Sequence, residues 1–475
     1  MSKGGSAVYE SIKAYFQAHR QELLDDIQAL IRIPSVTAPP EPDAPFGRAC
    51  AQVLDEAVRL AESFGLSAHI LEHKIAYADL NDLPAQLDIL VHLDVVPPGD
   101  GWTVTQPFVP LSKDGRLYGR GTSDDKGPAV AALYAMRAVK ELGIPMKYNT
   151  RLIFGSDEET GSRDIDCYYS HFSEAPCSFS PDGEYPVINL EKGGIYTSYS
   201  GTWEGESPLP CVVSVDGGTV GNAVPGKAQA VTMGLDWDTA VQIARKTEAQ
   251  TGITFTLERQ GEQILIQAQG QSAHASTPWE GRSAITGLLQ LIAALPFAPC
   301  PGLTRLHNLL KLFPHGEFYG RGAGIYQSDE KSGFLTLTSN VIHYTQNSIS
   351  GRVDCRTLLC ATEENTLEVL RANMAQCGFL LPDNCSMLPP HYVPEDSPFI
   401  QTLLRCYEQV MEEPGCCLAI GGGTYAHFLK NGVAFGASKL GVDYCIHGPN
   451  EYLVEEEILK TAQLFTLAIA QLCGA

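Results

Sequence analysis

Leu87-Asp88-Ile89-Leu90-Val91-His92-Leu93-Asp94-Val95-Val96-Pro97 is the most informative segment of the chain. An apolar run of strand length closes on a histidine and an aspartate two positions apart. On an extended chain such residues face the same side. An aspartate beside a histidine ligand can orient the imidazole and tune its basicity. Taken alone, the pair also reads as an ordinary polar strand end. It gains meaning only from what surrounds it.

Upstream of it, residues 8–33 carry apolar positions at helical spacing and stop at Pro34, and a second helix spans roughly 47–65. Strands are expected over Ser67–Leu71, Ile75–Leu80 and Leu87–Leu93, a helix over Ala129–Leu142, a strand over Arg151–Phe154 and a helix near 163–172. This alternation predicts an α/β layered domain, a mixed sheet with helices on both faces. After Pro186 the texture changes to alternating Thr/Val/Gly-rich strands interleaved with helices near 238–250, 281–294 and 362–376. The last ninety or so residues return to helices (397–412, 455–472) around short strands. The expected organisation is a discontinuous catalytic domain, 1–188 with 385–475, split by an inserted α+β domain over 189–384 made of two ββαβ-like, ferredoxin-like halves.

Composition excludes several classes. Across 475 residues, 55 acidic against 33 basic side chains give a formal charge of −22. That argues against nucleic acid and against an anionic membrane surface, both of which need clustered Lys and Arg. No apolar run approaches the ~20 residues of a membrane span. Met1 to Ala7 lacks the charged-then-apolar order of a signal peptide. The 14 cysteines are scattered with no C-x-x-C pair. They read as reduced thiols of a cytoplasmic protein rather than as a disulfide scaffold or a zinc–thiolate site.

Four further motifs repeat the chemistry of the first. Gly119-Arg-Gly-Thr-Ser-Asp124-Asp125-Lys-Gly places a double aspartate in a turn before a helix, where either could serve as an N-cap. Asp157-Glu158-Glu159 follows an apolar strand; one glutamate can ligate a metal while its neighbour takes a proton from water. Pro181-Asp182 marks another strand end. Cys445-Ile-His447-Gly-Pro-Asn-Glu451 supplies a second, distant histidine. Each is weak by itself. Together they matter, because ligands collect at the carboxyl edge of an α/β sheet. A set of histidines and carboxylates without thiolate suits Zn²⁺, Mn²⁺ or Co²⁺, and a shared carboxylate would hold two ions ~3.5–4 Å apart.

These motifs, with Gly270-Gln-Ser-Ala-His274-Ala-Ser, resemble those of the co-catalytic dizinc metallopeptidases that include carnosinases, carboxypeptidase G and succinyl-diaminopimelate desuccinylase. Within that family the run is most similar to the bacterial Xaa-His and β-Ala-Xaa dipeptidases of the PepV group. The resemblance implies a zinc-exopeptidase-like fold and two divalent ions, zinc first, with manganese and cobalt as alternatives. It implies Asp124 as the bridging ligand, His92 and Asp182 completing one site, and Glu159 and His447 completing the other. It further implies Glu158 as general base, Asp94 as the support of His92, and a cis peptide between Asp124 and Asp125.

The same resemblance assigns His274 to polarise the scissile carbonyl, with Asn222 as a second polar contact. Arg356 would clamp the substrate carboxylate, with Arg352 in reserve, and Gly422, Gly423 and Thr424 of the triple-glycine turn would offer it polar groups. His427 stands where relatives often carry arginine. The 196-residue insert resembles the long lid of the PepV type, which implies a monomer. The expected activity is hydrolysis of unblocked dipeptides. An N-acyl amino acid deacylase or carboxypeptidase of the same family is the alternative, and an inactive metal-binding homologue a remote one.

Overall fold

The computed structural model describes residues 3–475, with side chains from residue 8 onward. The reading of the first residues as lacking a targeting signal therefore falls partly outside the described residues. The chain divides into two compact units: Met1–Leu190, Tyr392–Leu418 and Gly423–Ala475 form the first, and Glu191–His391 with Ala419–Gly422 the second.

The first unit opens with helices α1 (Lys3–Ala18) and α2 (Arg20–Ile31). One continuous helix was expected over 8–33; the structure breaks it at His19 (φ −102°, ψ 12°), whose ring stacks on Tyr15 and bonds the Tyr15 carbonyl at 2.9 Å. The apolar spacing runs through this break and conceals it. Then follow α3 (Arg48–Ser63), β1 (Ser67–Leu71), β2 (Ile75–Asp79), β3 (Ala85–His92), β4 (Leu111–Lys113), β5 (Arg116–Tyr118), α4 (Lys126–Glu141), β6 (Asn149–Gly155), α5 (Arg163–His171) and β7 (Cys177–Ser180).

The main sheet runs in the order β1-β2-β6-β3-β7, continuing to Gly432–Ala434 and Val187–Glu191. β3 lies parallel to both β6 and β7, whereas β1, β2 and β6 pair antiparallel. The parallel register decides where chemistry can gather. His92 pairs with Gly155, and Ile89 with Phe179, so the carboxyl ends of β3, β6 and β7 finish side by side. α4 is buried along nearly its whole length, from Lys126 through Val139, as expected for a helix at the centre of a layered core.

A smaller three-stranded sheet pairs β5 with β4 and with Tyr452–Val454. Tyr452 lies opposite Tyr118. This short ladder brings the region after His447 beside the turn that follows β5.

The second unit holds one seven-stranded antiparallel sheet, in the order Gly193–Thr202, Ser348–Thr357, Thr336–Tyr344, Cys211–Gly217, Lys227–Met233, Gln263–Gln269, Thr254–Gln260. Its helices include Trp237–Thr251, Ala284–Ala294 and Pro301–Leu312, and most of its buried apolar residues form one cluster. All 14 cysteines are free thiols. Among the described residues no helix is long and apolar enough to cross a membrane.

Candidate active site

Acids and imidazoles of the first unit converge where β3, β6 and β7 end. His92 is the last residue of β3; Glu158 and Glu159 lie in a single 3₁₀ turn just after β6; Asp182 follows β7. Asp124 sits in the turn between β5 and α4, and its peptide to Asp125 is cis. The two oxygens of Asp124 face different histidines: Oδ1 is 2.9 Å from His92 Nε2, and Oδ2 is 2.9 Å from His447 Nε2. Asp182 Oδ2 lies 3.7 Å from His92 Nε2, and Glu159 Oε1 lies 3.2 Å from His447 Nε2.

The donor set fits metal ions. Ligand atoms of His92, Asp124 and Glu159 lie within 4.8 Å of one another, as do those of His92, Glu158 and Asp182. His92 Nε2 is buried and close to Asp124, yet makes no aligned hydrogen bond, and the buried Asp125 Oδ1 also has no hydrogen-bond partner. The His92 ring donates from Nδ1 to the Asp94 carbonyl at 3.0 Å. That bond fixes the tautomer and leaves Nε2 as the lone-pair nitrogen toward the carboxylates.

Titration behaviour follows from crowding. Burial lifts Glu158 well above the usual glutamate range, and the Asp182, Glu159 and Asp124 carboxylates add to it. Burial and the Asp124 charge push Asp182 up to about 7. Burial works against a charged His447, but its contacts with Asp124 and Glu159 win and raise it to about 11. Burial likewise opposes ionisation of Asp124, and the two histidines outweigh it, holding Asp124 below the ordinary aspartate value. Protons thus collect on groups that divalent ions would otherwise neutralise.

Several positioning groups surround these side chains; Asp94 and Asp125 were marked in the sequence, whereas Asp164 and the role of Glu451 were not. The Asp94 carboxylate accepts the backbone N–H groups of Glu158 (3.2 Å) and Glu159 (3.1 Å), so it anchors the double-glutamate turn; His92 Nδ1 donates to the Asp94 carbonyl and lies 3.6 Å from its carboxylate. Asp125 leads into α4 without capping it through its side chain, and accepts the His92 N–H at 3.2 Å instead. Asp164, in α5, accepts the N–H groups of Ser156 and Asp157 (2.5 and 2.9 Å) and the Tyr425 hydroxyl at 2.6 Å. The buried Glu451 accepts from Gly121, Ser123 and Asp124 amides and from Arg120. The available signal for Glu451 was its place four residues after His447; nothing local marked Asp164.

The remaining expected residues divide between the units. Gly423 and Thr424 belong to the first, where the Thr424 hydroxyl accepts the Ala426 N–H and is buried. Gly422, Asn222, His274 and Arg356 belong to the second. There, Ala223 pairs with His274, and the Ala275 N–H donates to the Asn222 carbonyl at 2.9 Å. The Ser276 N–H donates to His274 Nδ1 at 3.2 Å, which leaves the ring proton on Nε2. Asn222, Arg352 and Arg356 line one groove of about 580 Å³. Arg356 is almost fully buried; it grips Asp354 through Nε and Nη2 (2.7 and 2.8 Å) and donates from Nη1 to the Gly421 carbonyl at 2.5 Å. Arg352, four residues earlier on the same strand, is exposed.

Comparison with known proteins turns this geometry into a family assignment. Residues 89–471 match the model of peptidase family M20/M25/M40. The chain belongs to that family. The peptidase is 30% identical over 464 residues to a protein named putative dipeptidase YtjP of Bacillus subtilis, covering 95% of this chain and 97% of the relative. It is 30% identical over 468 residues to the β-Ala-Xaa dipeptidase of Lactobacillus delbrueckii subsp. lactis, covering 97% and 98%. Among solved structures it shares its fold with human carnosine dipeptidase 1, at a TM-score of 0.60, 15% identity and 98% coverage of each chain. It likewise shares it with the di-peptidase Dug1p of Saccharomyces cerevisiae, at a TM-score of 0.59, 13% identity and 99% and 98% coverage.

Proposed function

We propose that this peptidase hydrolyses unblocked dipeptides, using two divalent ions, zinc in the first instance, and Glu158 as general base. The observation that carries the reading is the two-sided presentation of Asp124, one oxygen toward His92 and the other toward His447, at equal 2.9 Å distances. Under this reading His92 and Asp182 hold one ion, Glu159 and His447 the other, and Asp124 both. When bound, the ions supply Lewis acidity toward the scissile carbonyl and make a water acidic enough to lose its proton at neutral pH.

Glu158 receives that proton and returns it to the departing amine. Its seat beside the ligands, with its backbone N–H fixed by Asp94, supports this role. His274, with its proton on Nε2, donates to the carbonyl oxygen as negative charge builds there, and Asn222 provides a second polar contact. Arg352 and Arg356 share the groove that would receive the substrate carboxylate. Arg356 is the family-derived choice, but its fork is engaged by Asp354, which favours the exposed Arg352 as the direct partner. The second unit is assigned as the lid, and Gly422, Gly423 and Thr424 are assigned to offer the substrate carboxylate polar groups. The reading includes a monomeric enzyme working in the cytoplasm.

The test is a substrate panel of free dipeptides, tripeptides and N-acyl amino acids with Zn²⁺, Mn²⁺ and Co²⁺ supplied in turn. Preference for free dipeptides supports the proposal. Preference for N-acyl amino acids would make the enzyme a deacylase of the same chemistry, and no turnover of any class would sink the reading.

A further inference from the structure

A second group of metal-ligating side chains lies away from the catalytic cluster, on the outer side of α5. Cys167 and His171 are four residues apart on that helix and so share a face. Glu72 reaches them from the hairpin between β1 and β2. One ligand atom from each of Glu72, Cys167 and His171 lies within 4.8 Å of the others. His171 Nε2 is 3.5 Å from Glu72 Oε1. Two ligands of a tetrahedral ion with bonds of ~2.0–2.2 Å are separated by ~3.3–3.6 Å, so this pair already stands at ligand spacing.

Two features orient the group. His171 Nδ1 donates to the Cys167 carbonyl at 3.0 Å, which leaves the Nε2 lone pair directed toward Glu72. Lys74 Nζ holds Glu72 Oε2 at 2.7 Å, which leaves Oε1 for His171. Glu72 and His73 both adopt positive φ (50° and 55°), and the Lys74 N–H closes the turn onto the Leu71 carbonyl at 3.0 Å. The carboxylate is therefore presented from a tight hairpin rather than a loose loop.

We propose that Cys167, His171 and Glu72 form a third divalent-metal site, distinct from the catalytic pair, that takes a thiophilic ion of the Zn²⁺ or Cd²⁺ class with water in the fourth position. One thiolate, one imidazole and one carboxylate make a borderline set that discriminates against Mg²⁺ and Ca²⁺. The ion would pin α5 to the β1–β2 hairpin. α5 also carries Asp164, whose carboxylate holds the amides of Ser156 and Asp157 just ahead of Glu158. Occupancy would therefore stiffen the segment that leads into the double-glutamate turn.

The test is titration of the metal-loaded enzyme with Cd²⁺, followed by the thiolate-to-cadmium ultraviolet band, which cadmium exchanged into the thiolate-free catalytic centre would not produce. The wild type is expected to develop the band with one Cd²⁺ per chain, and Cys167→Ser to lose it while retaining peptidase turnover. His171→Ala and Glu72→Gln should each shift the midpoint to more than about tenfold higher free Cd²⁺, since losing a ligand costs at least as much as losing its outer-shell support. An undiminished band in Cys167→Ser, no band in the wild type, or unmoved midpoints in both other variants would overturn the site.

Discussion

Glu451 accepts the backbone N–H of Asp124 at 3.3 Å, so a residue from the loop of His447 fixes the main chain of the carboxylate that faces both histidines. The same carboxylate, itself fully buried, takes the Gly121 and Ser123 amides and the buried Arg120 guanidinium. Backbone donors of the turn that leads into α4 are thus satisfied from a distant segment. Glu451→Gln keeps the shape but offers an amide N–H₂ to donors that need an acceptor. Metal affinity is expected to fall by about 10–100-fold, with turnover recovering at high metal concentration. Calorimetric metal titration and the metal dependence of kcat check this; unchanged affinity would remove Glu451 from the positioning network.

Glu158→Gln separates base from ligand. The variant should retain two ions per chain by elemental analysis while kcat falls by about 10²–10⁴-fold. Loss of an ion together with activity would instead make Glu158 a ligand, which its closeness to His92 and Asp182 also permits.

The two groove arginines should respond differently. Arg352→Ala is expected to raise KM for a free dipeptide by about tenfold or more and leave the melting temperature nearly unchanged, because the side chain is exposed. Arg356→Ala leaves the buried Asp354 without its partner and should destabilise the fold by about 3–5 kcal/mol. Steady-state kinetics and thermal unfolding measure both. A rise in KM confined to Arg356 variants that still fold would return the carboxylate clamp to Arg356.

Metal removal exchanges cations for protons. With His447 raised to about 11 and Asp182 to about 7 in the absence of metal, the emptied site is expected to be protonated at neutral pH. Rebinding should then release protons. Calorimetry of metal binding in buffers of different ionisation enthalpy reads that release directly, and a buffer-independent heat would contradict it.

Much of this site was legible because its chemistry sits at strand ends, where short apolar runs stop abruptly at His92, Asp157 or Asp182. Local pattern also located α3, α4, α5 and the long C-terminal helix, Glu455–Cys473. Residues whose roles depend on register were not legible. Glu451 reaches Asp124 only because Tyr452–Val454 pairs with β5, and Asp164 reaches Ser156 only because α5 turns back toward the end of β6. The helix Pro301–Leu312 went unmarked since it follows a proline-rich stretch, although Pro301 in its first turn and Cys300 accepting the Leu303 N–H form a sound start. Arg356 read as a ligand-binding arginine; its pairing with Asp354, two residues away on the same strand, emerged only with the side chains in place.

Stability away from the site should also depend on pH. Asp88, four residues before His92 on β3, is buried, accepts the Ala175 N–H at 3.2 Å, and is raised by burial to about 6. In the unfolded chain it titrates near 3.9. Between roughly pH 4 and 6 the folded protein therefore binds more protons at this position than the unfolded one, so its contribution to stability falls as pH rises through that window. The difference amounts to about 3 kcal/mol across the range. Asp88→Asn, which cannot ionise, should lose this slope, so the variant gains on the wild type as pH rises from 4 to 7. Urea unfolding of both proteins at several pH values, compared as differences to cancel the metal site's own titration, provides the measurement. Parallel curves would show that Asp88 is ionised in the folded protein throughout, its charge carried by the Ala175 amide, the Tyr169 hydroxyl and the neighbouring Arg151 cation.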